Sequence, residues 1–168
     1  RDLQVFNIRD PDAPYRVATV PLLSSLHQDL AYKDGHVLLA EREQGIGIID
    51  VSNPEKPIRL STYRFPRNRA DVVTVQVIGN QAFVGNGSYG FALLDVTNPR
   101  EPNLVSSLDT TGLVAGLWIE GDQAYVADWA SGFKVLDLAN PTTPRMIGRY
   151  PSNDAFLNYY DLVSRKGW

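Results

Sequence analysis

Four times along this chain an apolar segment ends in Asn or Asp, and four residues further on come a proline, two variable residues and a second proline. The copies run from Leu3 to Pro14, Ile46 to Pro57, Phe91 to Pro102 and Phe133 to Pro144. Their first prolines, Pro11, Pro54, Pro99 and Pro141, are 43, 45 and 42 residues apart. A proline has no N–H to give a β-ladder and restricts the residue before it, so the chain must reverse at each copy. Self-similarity at roughly 40–45 residues is the mark of a radially repeated four-stranded unit.

Residues 71–112 show the unit most clearly. Residues 71–78 are rich in β-branched side chains and stop at Gly79-Asn80, which predicts strand a. Residues 81–85 follow at hairpin spacing as strand b, with equivalent turns at Asp34-Gly35, Gly121-Asp122 and Lys166-Gly167. After a glycine-bearing loop, residues 91–96 form a nearly continuous apolar run, as expected of a strand c buried on both faces. Residues 104–108 then make strand d. No stretch carries capped 3.6-residue periodicity. The expectation is an all-β chain, a β-propeller of four-stranded antiparallel blades, with a β-sandwich as runner-up because a sandwich does not require such regular turn spacing. The chain divides into the end of one blade (1–26), three blades (27–68, 69–112, 113–155) and the start of another (156–168). Arg1 and Trp168 both fall inside a repeat, which reads as about four blades' worth of a larger propeller. Such a piece has unpaired strand edges and is expected to oligomerise or aggregate in isolation.

Of the 168 residues, 43% are hydrophobic and 21% charged, a globular composition. A net charge of -3 disfavours nucleic acid, whose binding draws on dense Lys/Arg surfaces. No run of roughly 18 apolar residues predicts a membrane span. With no cysteine there is no disulfide, thiolate nucleophile or Cys-based metal site.

The phrases Ile48-Ile-Asp-Val-Ser-Asn-Pro54, Leu93-Leu-Asp-Val-Thr-Asn-Pro99 and Val135-Leu-Asp-Leu-Ala-Asn-Pro141, with Gly121-Asp-Gln-Ala-Tyr-Val-Ala-Asp128 before the last, resemble the LVIVD repeat family of β-propellers. The resemblance covers essentially the whole chain. It implies bacterial or archaeal cell-surface or extracellular proteins and supplies a location more than a chemistry.

Strand order places the d-to-a and b-to-c loops on one rim, the variable one, and rigid-scaffold loops are where binding residues concentrate. Arg67, Arg69, Asn86, Tyr89, Asp128, Trp129, Asn158 and Tyr159 on that rim, together with Tyr160, form the candidate ligand-binding set. Their rings and amides suit a carbohydrate or a peptide, and the arginines suit an acidic group. The competing reading has the aromatics covering blade ends and the arginines solvated or paired with Glu41 or Asp71. Asp29, Asp71 and Asp161 open three innermost strands, with Gly116 in the matching place of the fourth, and are the candidates for a metal ring; the alternative is that each holds its own turn. His27 with Asp29 is the candidate acid–base pair for catalysis, while His36 sits at a hairpin. Asn7, Asp50, Asp95 and Asp137 recur at one strand position and read as blade-building residues.

These signals favour a non-enzymatic binding or scaffolding module acting through its loop rim, with no cofactor. The partners expected are a protein or carbohydrate ligand, and further blades or another chain that completes the ring. The alternative is a fragment of a propeller hydrolase or lyase whose active site is shared with missing blades.

Overall fold

The computed structural model describes residues 2–24, 29–129 and 131–151. Strands β1 (Asp2–Asn7) and β2 (Tyr15–Pro21) form a two-stranded antiparallel sheet. Blade 1 consists of β3 (Asp29–Lys33), β4 (His36–Ala40), β5 (Ile46–Asp50) and β6 (Ile58–Tyr63). Blade 2 consists of β7 (Thr74–Ile78), β8 (Gln81–Gly85), β9 (Phe91–Asp95) and β10 (Asn103–Leu108). Blade 3 consists of β11 (Gly116–Glu120), β12 (Gln123–Ala127), β13 (Phe133–Asp137) and β14 (Arg145–Tyr150). Each blade is a four-stranded antiparallel meander, strands running in chain order across the sheet. The sheets do not close into a ring among the described residues, so the architecture is a partial propeller.

Period-2 alternation explains the packing, because neighbouring side chains leave a strand on opposite faces. Ala92 and Leu94 of β9 join Leu38, Ile46 and Ile48 of blade 1 in one core layer. Phe91 and Leu93 of the same strand join Leu117, Val126 and Leu136 of blade 3 in the next. A third layer sets Val20 of β2 against Val37, Leu39 and Ile49 of blade 1. Strands b and c of blades 1 and 2 therefore read as unbroken apolar runs because both their faces are covered by neighbouring sheets.

The a-to-b hairpins follow their turn residues. Asp34 and Gly35 both have positive φ, 47° and 80°, the type I′ pattern that matches strand twist. Gly79 and Gly121, at 58° and 57°, take the first central position as in type II′.

Every c–d pairing carries a bulge three residues beyond the second proline of the phrase. Val17, Leu60, Val105 and Ile147 are the extra residues, each skipped in the pairing of its strand with the one before. The residue after the bulge is small: Ala18, Ser61, Ser106 and Gly148. Where it is serine, the hydroxyl donates to the first proline carbonyl of the next repeat, Ser61 Oγ to Pro99 O at 2.7 Å and Ser106 Oγ to Pro141 O at 2.6 Å.

Strand a of blade 2 begins at Thr74, not at residue 71 as the β-branched run suggests. Val72 spends both backbone groups on Arg42 of blade 1, at 3.1 Å each way, and so belongs to an inter-blade bridge instead of the sheet. The equivalence of Asp29 with Asp71 is corrected with it. Pairing with the last residue of strand b aligns Asp29 with Thr74 and Gly116.

Candidate functional site

The two rims are built differently. On the rim of the proline turns, the carboxamide or carboxylate ending strand c accepts the N–H two residues on: Arg9 N to Asn7, Ser52 N to Asp50, Thr97 N to Asp95 and Ala139 N to Asp137, at 2.8–2.9 Å. The residue before the first proline repeats the device, Asp10, Asn53, Asn98 and Asn140 each accepting from two positions on. Two successive side-chain turns thus fold the backbone at each copy. These bonds hold three carboxyls below the ordinary aspartate range: Asp50 through the Ser52 N–H and then its hydroxyl, Asp95 through the Thr97 hydroxyl and then its N–H, Asp137 chiefly through the Ala139 N–H.

On the opposite rim the b-to-c loops share one backbone frame. The residue after strand b donates its N–H to the carbonyl of a glycine four positions on, as in Glu41 to Gly45, Asn86 to Gly90 and Asp128 to Gly132, at 2.8–3.0 Å. The next residue is left-handed in every case: Arg42 at φ 48°, Gly87 at 49° and Trp129 at 42°. A Cβ on Gly45 or Gly90 would lie 2.1–2.2 Å from a backbone carbonyl of strand d, which leaves room for glycine only.

Glu41, Asn86 and Asp128 are 0%, 3% and 0% exposed. Each pins the incoming d-to-a loop of its own blade. Glu41 Oε1 accepts from Leu23 N at 3.2 Å. Asn86 accepts from Asp71 N at 2.8 Å and donates to Arg69 O at 2.9 Å. Asp128 Oδ1 accepts the Thr110 hydroxyl at 3.0 Å, under Gly112, where a Cβ would come within 2.5 Å of the carboxyl. A buried carboxylate needs a counter-charge, and the two acids obtain it by different routes. Arg59 of β6 crosses Gly47 of β5 and grips Glu41 with two hydrogen bonds of 2.8 Å. Lys134, at the position equivalent to Gly47, places Nζ 3.1 Å from Asp128 Oδ2 as an ion pair and donates to Ser131 O at 2.5 Å. In blade 2 the pin is a neutral amide, and Ala92 and Leu104 stand where blade 1 has Gly47 and Arg59.

At that corner of blade 2 lies a cleft of about 380 Å³. Phe65, Ala92 and Leu104 supply its apolar lining, and Arg67, Arg69 and Tyr89 flank it. Four candidate rim residues, Arg67, Arg69, Asn86 and Tyr89, are therefore gathered in one place. Tyr89 is 39% exposed, whereas Asn86 is buried with both ends of its amide engaged by backbone. Neither arginine pairs with Glu41, which Arg59 holds, or with Asp71, which Arg42 Nε meets at 3.1 Å. Trp129 is 37% exposed on the blade 3 loop, outside the cleft lining.

Asp128 is withdrawn from the set of ligand contacts, because its carboxylate is wholly buried against Lys134 and Thr110. Of the metal-ring candidates, Asp29 and Asp71 are engaged in contacts within the fold. Asp29 accepts from the Thr74 hydroxyl at 2.8 Å and Val75 N at 3.0 Å, tying blade 1 to blade 2, and Asp71 faces Arg42. Among the described residues no three acidic or histidine side chains form a metal-holding group. His27, Asn158, Tyr159, Tyr160 and Asp161 lie outside the described residues. The shared pin position was missed in sequence because its occupants, Glu, Asn and Asp, differ; the constant glycine four residues later was the signal that could have found it.

The family model for the LVIVD repeat matches residues 27–64, 70–110 and 111–152. This chain belongs to the LVIVD repeat family. Each match spans one of the four-stranded blades, so the LVIVD unit and the structural unit coincide. No curated protein matches the chain in sequence. Among solved structures, the computationally designed Ika4 protein superposes with a TM-score of 0.61 at 14% identity, over 77% of this chain and 74% of Ika4. The computationally designed Ika8 protein gives 0.63 at 13%, over 80% of this chain and 40% of Ika8, so the LVIVD chain spans well under half of that molecule. At such identities the likeness concerns fold alone. No helix among the described residues is long and apolar enough to cross a membrane.

Proposed function

We propose that this chain is a non-enzymatic module of a cell-surface or secreted propeller and binds a protein or carbohydrate partner through its loop rim. The supporting observation is the blade 2 cleft, where a d-to-a loop and a b-to-c loop bring Arg67, Arg69 and Tyr89 around one recess of mixed polar and apolar lining. Its volume falls within the range of about 300–1,000 Å³ common for ligand sites, and its walls stand on a frame fixed by buried bonds. The surface location rests on family membership. The unclosed sheets support a ring completed by further blades or by another chain.

A combined glycan and peptide array probed with the purified chain tests this reading. Binding should be lost in Tyr89→Ala and Arg69→Ala and kept in His36→Ala, which alters the opposite rim. Hits indifferent to both rim substitutions, or no hits, would overturn it.

A further inference from the structure

We infer that the blade 2 cleft is a carboxylate-binding site, taking a carboxylate attached to an apolar or ring-shaped body. The inference rests on the rim-binding reading above and names the ligand class of that site. The three blades act as internal controls for one another, because register places the same corner in each. Blade 1 fills it with the Glu41–Arg59 pair and blade 3 with the Asp128–Lys134 pair, so in both a carboxylate from the chain meets a cation from the chain. In blade 2 the carboxylate is replaced by Asn86, and Ala92 and Leu104 stand where the cation or its passage would be. The amide needs no counter-charge and the small alanine leaves space. The corner stays open as a cleft of about 380 Å³.

The cations at this corner come from the rim. Arg67 and Arg69 line the cleft, are exposed, and form no ion pair among the described residues. Asp109 lines it too, but its Oδ1 accepts the Thr111 N–H at 2.8 Å and no ion pair joins it to either arginine. Arg67 is held at φ 60°, in the left-handed region that costs a non-glycine residue energy and that recurs at binding sites. A guanidinium offers paired N–H donors that match the two oxygens of a carboxylate. Phe65, Ala92 and Leu104 offer nothing to a polar group and suit a hydrocarbon face, while the exposed Tyr89 ring can stack on a flat one.

The test titrates the full chain with p-toluate and, in parallel, with p-toluamide and inorganic phosphate, following backbone amide shifts by NMR. The expected result is saturable binding of p-toluate with shifts centred on residues 67, 69 and 89, and at least about tenfold weaker binding of the amide and of phosphate. Arg67→Ala and Arg69→Ala, both on exposed side chains, should each weaken p-toluate by about tenfold, the loss of one charge-assisted contact. Asn86→Asp with Ala92→Lys rebuilds the blade 3 pair in blade 2 and should abolish binding. Should that double variant fail to fold, the arginine variants still decide. Equal binding of acid and amide, equal binding of phosphate, indifference to both arginines, or no binding would each overturn the carboxylate assignment. Array ligands that still depend on Tyr89 in those cases would leave the rim-binding reading standing.

Discussion

The proline-turn rim and the loop rim solve the same problem, how to satisfy a chain reversal, at different ranges. On the proline-turn rim the partner lies two residues away, so a single local recipe serves all four copies. On the loop rim Glu41, Asn86 and Asp128 reach residues 15–18 positions back, and each then needs a blade-specific neighbourhood. Local solutions repeat; distant ones diversify. Diversity at the second rim is what gives blade 2 its open corner.

The largest effect that would break this comparison comes from orphaning a buried charge. Lys134→Met leaves Asp128 buried without its cation and should cost about 3–5 kcal/mol, read as a fall in urea midpoint. Adding Asp128→Asn to it recreates the neutral solution of blade 2 and should recover most of that loss; no recovery would mean that the corners are not interchangeable. Next comes Asn86→Ala, which strands the Asp71 N–H and the Arg69 carbonyl and should cost about 1–3 kcal/mol by the same measurement. Ser106→Ala removes one hydroxyl bond to the next blade and should cost about 0.5–1.5 kcal/mol, with Ala18 and Gly148 showing that the position tolerates a missing hydroxyl.

The smallest effect lies on the proline-turn rim. The carboxyls of Asp50, Asp95 and Asp137 are depressed in the fold, so their stabilisation is fully present above the ordinary aspartate value of 3.8. It is lost as pH falls below that value through the folded ones. Asp95→Asn should keep the turn at neutral pH, as Asn7 does in its copy, and make unfolding between pH 4 and 2, roughly, less steep. An unchanged acid slope would show that this carboxylate contributes nothing there.

These ranges also explain what could be read in advance. Blade period, strands b and c, the proline turns and the nearly helix-free character follow from residues close in sequence, and the structure bears them out. The start of β7 could not be read, since Val72 has the side chain of a strand residue yet pairs with Arg42 of the preceding blade. Asp128 had the chemistry of a ligand contact, and only the fold shows Lys134 and Thr110 closing over it. Arg67, Arg69 and Tyr89 were legible as rim residues; their meeting at one cleft depends on Ala92 and Leu104, which look like ordinary core positions.

Among the described residues the bonds between blades join each unit to its immediate neighbour, as between Asp29 and Thr74 and Val75, Ser61 and Pro99, Gln76 and Ile119, and Ser106 and Pro141. A chain wired this way behaves as a one-dimensional array, each unit borrowing stability from its nearest neighbours. Slow amide-proton exchange should therefore be graded along the sequence, with its deepest protection in β8 and β9, the strands clasped on both faces by complete sheets. Opening of blade 1 or of blade 3 would each uncover one face of blade 2, so the Arg67–Tyr89 corner responds to both neighbours.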